Sequence, residues 1–263
     1  LADLAATLEA SLAELARAGT SDDALYLFGL VLHHEQMHHE AALSMAQQLG
    51  MPMPHAAGPA PVAANGELPV PAGRHRIGHH GPGFAFDNEL GAHEIDLPAF
   101  LIDAAPVSEG RWIAFLEATG REPSRDLRRQ DGHWQRRRFE RWEAVNPDAP
   151  AMHLSAFEAE AWCAWAGRRL PNEAEWEAAA LLHGLAFVWG QVWEWTTTPF
   201  APYPGFSPHP YRDYSLPWMD GSRRVLRGAS WATAPELRSP HYRNFFEPHR
   251  KDLFAGFRSC ALP

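Results

Sequence analysis

The chain has 263 residues, 46% hydrophobic and 11% aromatic, with a formal net charge of −9 at pH 7. That length admits two domains and the composition supports a packed core. The acidic balance argues against a general nucleic-acid binder, and no run approaches the ~18 apolar residues of a membrane span. Two cysteines, Cys163 and Cys260, lie far apart without a C-x-x-C. This fits a reducing cytoplasm and excludes a cysteine-built zinc site or a disulfide scaffold. The chain opens on Leu1 with no charged-then-apolar signal peptide, so the expectation is a truncated start and a cytoplasmic location.

Leu4, Leu8, Leu12 and Leu15 form a stripe that predicts a helix over 1–17, broken at Gly19 and Thr20. A second helix is expected over 22–49, with Leu25, Phe28, Leu32, Leu43, Ala46 and Leu49 near helical spacing. Ser21 or Asp22 can cap it, and Gly50 with Pro52 can end it. Two adjacent helices make an antiparallel hairpin. A hairpin alone cannot enclose a core, so further helices are expected upstream of Leu1. Pro, Ala and Gly then dominate and mark a boundary. We divide the chain into a helical domain at 1–54, a linker at 55–70 and a second domain at 71–263. That second domain is rich in Trp, Pro and Gly, with helices expected at 156–166 and 172–180. Asn172 is the cap of the latter, with Glu173 and Glu175 in its first turn. Short strands are expected at 225–226 and 254–258. Arg136, Arg137 and Arg138 read as a solvated face. Trp193, Trp195 and Trp231 read as structural.

The chemistry concentrates in the stretch His34-Glu-Gln-Met-His38-His39-Glu40. On a helix His34 and His38 share a face, close enough to share one metal ion. Glu35 and His39 form a second pair, rotated by roughly 100°. Two neutral imidazoles suit Zn, Fe, Cu or Ni. The letters also spell the H-E-x-x-H of zinc hydrolases, with Glu35 as general base, but no H-x-x-G-x-x-H continuation follows.

Four ordered motifs then carry a resemblance: Arg169-Leu-Pro-Asn-Glu-Ala-Glu-Trp-Glu177, Trp193-Glu-Trp-Thr196, Arg224-Val-Leu-Arg-Gly-Ala-Ser-Trp231 and Phe254-Ala-Gly-Phe-Arg258. In order and spacing they resemble the formylglycine-generating (sulfatase-modifying factor) superfamily, which implies a C-type-lectin-like fold. The cysteines that bind copper in the namesake enzymes are missing from Ser230 to Pro240, so a thiol-dependent oxidase is not expected. Together with His34, His38 and Glu40 on a preceding helix, the plan resembles the ergothioneine-synthase and selenoneine-synthase family. The fold class implied is α+β, a DinB-like helical bundle followed by the lectin-like domain.

That resemblance implies an O2-dependent, non-heme Fe(II) enzyme. It would join a thiol or selenosugar donor to C2 of the imidazole of hercynine, the trimethylbetaine of histidine. His34 and His38 would be two of three histidine ligands, the third expected upstream of Leu1, and Glu40 would support them from behind. Asn244, Phe245, Phe246 and Arg250 match the substrate segment, with Asn244 holding hercynine. Phe246 stands where mycobacterial-type enzymes carry an acid, which favours a neutral donor and hence the selenium branch. Tyr211 and Tyr214, in a Pro- and Gly-rich stretch that reads as loop, are the candidates for the family's active-site tyrosine. A lectin-like binding module with a helical spacer is the non-enzymatic alternative. His79, His80, His153 and His209 receive no role.

Overall fold

The computed structural model describes residues 2–53, 57–62 and 66–263. The expected domain junction at 54–55 and Leu1 lie outside them. α1 (Ala2–Leu15) and α2 (Asp22–Leu49) form the expected hairpin. Ser21 Oγ accepts the Ala24 N–H at 3.3 Å, so Ser21 is the cap. Gly50 ends α2 in the left-handed region at φ +65°, where its N–H turns back to the last carbonyls. Ahead of the second domain the described residues form these two helices. α1 buries no residue, and α2 packs on the second domain. Its buried face is Leu30, His33, Leu43, Ala46 and Gln47. The expected stripe is therefore shifted, and Leu25, Leu32 and Leu49 are exposed.

Polar contacts hold α2 in place. Asp22 accepts the Gly83 N–H at 2.9 Å. Gln47 donates to Asp126 Oδ1 at 3.1 Å and accepts the Phe139 N–H at 2.7 Å. Between them, Glu40 accepts from Trp193 Nε1 at 2.8 Å, Ser230 Oγ at 2.5 Å and Thr233 Oγ1 at 2.7 Å. These contacts explain why polar residues occupy the buried face of α2.

The second domain is α+β. One four-stranded sheet runs Glu67–Val70, Phe100–Asp103, Cys260–Ala261, Arg168–Arg169. It joins the domain's first strand to its last, so Glu67–Val70, expected in the linker, belongs to the second domain. Another runs Asn244–Phe246, Arg224–Gly228, Trp193–Pro199, Ala255–Gly256, the last pair parallel. A hairpin (Gly73–Ile77, His93–Leu97) and a meander (Leu127–Gln130, His133–Arg138, Arg141–Ala144) complete the strands. The helices are α3 (Glu109–Thr119), α4 (Ala156–Trp165) and α5 (Glu173–His183). The strand expected at 254–258 shrinks to Ala255–Gly256. Arg136 and Arg137 are no solvated face: Arg136 is buried against Glu109, and Arg137 pairs with Asp126 at 2.7 Å.

The family motifs interlock as a frame. Arg227 pairs with Glu177, and Arg258 with Glu194, all four fully buried. Arg243 grips Glu173 at 2.8 and 3.0 Å. Trp176 Nε1 donates to Glu194 at 2.8 Å, and Trp195 Nε1 to the Leu154 carbonyl at 2.7 Å. Buried charges survive only when paired and hydrogen-bonded, and here each motif supplies the other's partner. Asn172 and Glu175 form a capping box at the start of α5.

Candidate active-site cleft

A cleft of about 670 Å³ opens between α2 and the C-terminal strands. One stripe of α2 forms a wall: His34, Met37, His38, Ala41, Ser44 and Gln48. These positions recur every three or four residues, which is why one helix face supplies them all. Trp193, Tyr242, Asn244 and Phe246 face them, with Arg250 and Asp252 further along. The imidazoles of His34 and His38 sit 4.5 Å apart, centroid to centroid.

Three of the four expected substrate residues, Asn244, Phe246 and Arg250, thus share a cavity with the histidine pair. Phe245 does not. Side chains alternate along the strand Asn244–Phe246, so Phe245 points away, stacked on Phe200 at 3.9 Å between centroids. Arg250 is already paired. It binds Asp252 at 3.0 and 2.5 Å, and its guanidinium lies 4.6 Å over the Phe246 ring. Asp252, Trp193, Tyr242 and Gln48 are cleft residues the motif reading missed. Gln48 was legible from its distance to His34, about four helical turns; Asp252 was not, because nothing local marks it. The Gln48 amide nitrogen is buried without a hydrogen-bond partner among the described residues.

The two tyrosines separate. Tyr211 is exposed, with its ring 5.6 Å from the His34 imidazole. Tyr214 is buried, stacked on Phe86 at 4.3 Å, and neither tyrosine is among the residues lining the cleft. Burial, with Tyr242 beside it, pushes the Tyr214 hydroxyl well above the usual tyrosine range, so it keeps its proton. Glu35 is exposed and off the cleft, away from the place a zinc-hydrolase base would occupy. Glu40 meets Trp193, Ser230 and Thr233 rather than either histidine, so its action on the pair is through the placement of α2. Trp231 lies against Phe254 at 4.8 Å, as a structural indole would.

The donor chemistry suits a first-row transition ion. Two neutral imidazoles on one helix face fit two positions of an Fe(II) ion. Among the described residues no group of three or more His, Cys, Asp or Glu side chains is arranged to hold a metal.

The sulfatase-modifying factor enzyme 1-like domain matches residues 54–191 and 182–261, and the chain belongs to that family. Among its relatives are two proteins named hercynine oxygenase. That of Mycolicibacterium smegmatis is 33% identical, across 90% of this chain and 72% of the relative. That of Mycobacterium tuberculosis is 32% identical, across 96% and 75%. Among solved structures, PvdO from Pseudomonas aeruginosa shares the fold, with a TM-score of 0.56 and 20% identity over 78% of this chain and 99% of that one. No helix among the described residues is long and apolar enough to cross a membrane.

Proposed function

We infer that the chain carries the site of an O2-dependent, iron(II)-containing enzyme that acts on hercynine and forms a carbon–sulfur or carbon–selenium bond at C2 of its imidazole. The observation that supports this most is the meeting of His34 and His38 with Asn244, Phe246 and Arg250 in one cleft. Similarity to two hercynine oxygenases supports the substrate. His34 and His38 would hold the iron, which when bound supplies a place for O2 and the reacting groups. Its remaining protein donor is not among the described residues.

The residues of this chain do the rest. Asn244 offers an amide to the substrate carboxylate or imidazole. Trp193, Tyr242 and Phe246 offer aromatic faces for a quaternary ammonium, which has no N–H to donate. Tyr211, whose ring stands beside His34, would hold a proton at its hydroxyl for delivery towards the histidine pair. A volume near 670 Å³ leaves room for two substrates side by side, so proximity replaces a multi-body encounter.

The donor reading follows from Arg250. Asp252 neutralises it and Phe246 covers its face, which weakens its pull on a donor carboxylate. A neutral donor such as a selenosugar is favoured over γ-glutamylcysteine. With a selenol the reaction removes the imidazole C2–H and the Se–H, two protons and two electrons, which O2 takes up. With a thiol and a sulfoxide product, one O2 takes four electrons, one oxygen ending on sulfur and one in water. A cytoplasmic setting goes with this reading, since both Cys163 and Cys260 are free thiols.

The test is anaerobic loading with Fe(II), addition of hercynine with a selenosugar, cysteine or γ-glutamylcysteine, admission of O2, and mass analysis. A hercynine adduct carrying selenium is expected. Turnover confined to γ-glutamylcysteine would overturn the donor reading. No adduct with any donor, in a protein that retains zinc and needs no O2, would overturn the function.

A further inference from the structure

Between the strands Trp193–Pro199 and Arg224–Gly228 the chain makes only short helical turns, Arg212–Tyr214 and Leu216–Trp218. This segment carries Tyr211. What sets its position against α2 is one side chain from elsewhere, Asp87, on the turn Asp87–Glu89. Asp87 is buried, 2% exposed. Its two oxygens reach two points of the same loop: Oδ1 accepts from Ser215 Oγ at 2.6 Å, and Oδ2 accepts from the His209 N–H at 3.3 Å. The two anchors bracket Tyr211. Between them Tyr214 plugs into the core on Phe86, the residue before Asp87. On the helix side the His209 ring stands edge-on to Tyr26 of α2 at 4.5 Å, and Tyr211 reaches His34.

We propose that Asp87 is a positioning residue: by holding both ends of the tyrosine loop it sets the Tyr211 ring beside His34. The proposal rests on the reading of Tyr211 given above. Both anchors donate to this carboxylate, one from a backbone N–H and one from a hydroxyl. An amide in its place could keep the N–H on its oxygen and turn its NH2 to the Ser215 hydroxyl, which also accepts, so the informative change is to alanine. Alanine removes both acceptors and leaves the loop to swing. Tyr211 has few other restraints, since its ring is 41% exposed.

Two variants test this, Asp87→Ala and the milder Ser215→Ala, which removes one anchor without touching the buried carboxylate. Two readouts apply. Trypsin cleavage after Arg212, exposed inside the bracket, should speed up about tenfold in both variants while far-UV circular dichroism stays that of the wild type. Turnover of hercynine should fall in kcat with KM for hercynine held. The double variant Asp87→Ala/Tyr211→Phe should be no slower than Tyr211→Phe alone, because the two changes act through one group. Unchanged cleavage at Arg212 in both variants overturns the proposal, and so do rate losses that multiply in the double variant. Should Tyr211→Phe prove fully active, the role of Tyr211 falls, while the cleavage rates still decide whether Asp87 holds the loop.

Discussion

Glu40 carries three hydrogen bonds on one carboxylate, from Trp193, Ser230 and Thr233. It therefore fixes the height of α2 on the second domain, and with it the depth at which His34 and His38 enter the cleft. Glu40→Ala leaves three donors without their acceptor. The expected cost is about 2–4 kcal/mol in urea unfolding. The histidines themselves are not core residues. His34→Ala and His38→Ala should leave the unfolding midpoint within about 0.5 kcal/mol of wild type. Each should cut iron affinity by more than about 100-fold, read by metal analysis after dialysis. Full iron retention in both would remove the metal assignment.

At the scale of elements, the motifs bind strands and helices to each other. Ala255–Gly256 runs parallel to Trp193–Glu194 and lies against the Ala151 carbonyl. A Cβ at Gly256 would stand 2.2 Å from that oxygen. Backbone cannot yield as a flexible side chain can, so Gly256→Ala should cost about 3 kcal/mol or more. Gly50→Ala, at φ +65° on the end of α2, should cost only about 1 kcal/mol. Thermal or urea unfolding of the pair gives the order directly. Equal losses would mean that the strand at Gly256 shifts to make room.

The whole molecule buries groups whose titration sets its pH response. His153 sits at φ +62° with neither ring nitrogen partnered among the described residues. Burial lowers its pKa from 6.5 to about 4. As pH falls through 6.5 the unfolded chain gains a proton that the folded one refuses, so stability drops by up to ~1.4 kcal/mol per pH unit until about pH 4. Burial raises Glu89 the other way, from 4.5 to about 8. Its folded form keeps a proton that the unfolded form has lost, so its stabilisation is complete below pH 4.5 and fades as pH rises to 8. Between 4.5 and 6.5 the two slopes oppose. Above 6.5 Glu89 acts without His153, and Glu89→Gln should gain on wild type with each unit of pH up to 8. His153→Asn, which tolerates a left-handed backbone, should flatten the limb between 6.5 and 4. Denaturation curves at half-unit pH steps check both signs.

Local chemistry alone determined the hairpin, the caps at Ser21, Gly50 and Asn172, and the pairing of His34 with His38, because each depends on neighbours within one or two helical turns. The ordered motifs carried the family. Their meaning was another matter. Glu177, Glu194, Arg227 and Arg258 form a buried frame, and the cleft takes its character from residues beside the motifs. Only the tertiary structure decided that Phe245 turns inward while Phe246 faces the cleft, that Tyr211 and not Tyr214 meets His34, and that Asp252 already neutralises Arg250. It also decided which face of α2 is buried. Glu40 and Ser230 stand 190 residues apart in sequence and 2.5 Å apart in space. A hydrophobic period records how one element meets a core, but it holds no record of which distant donor a carboxylate will find.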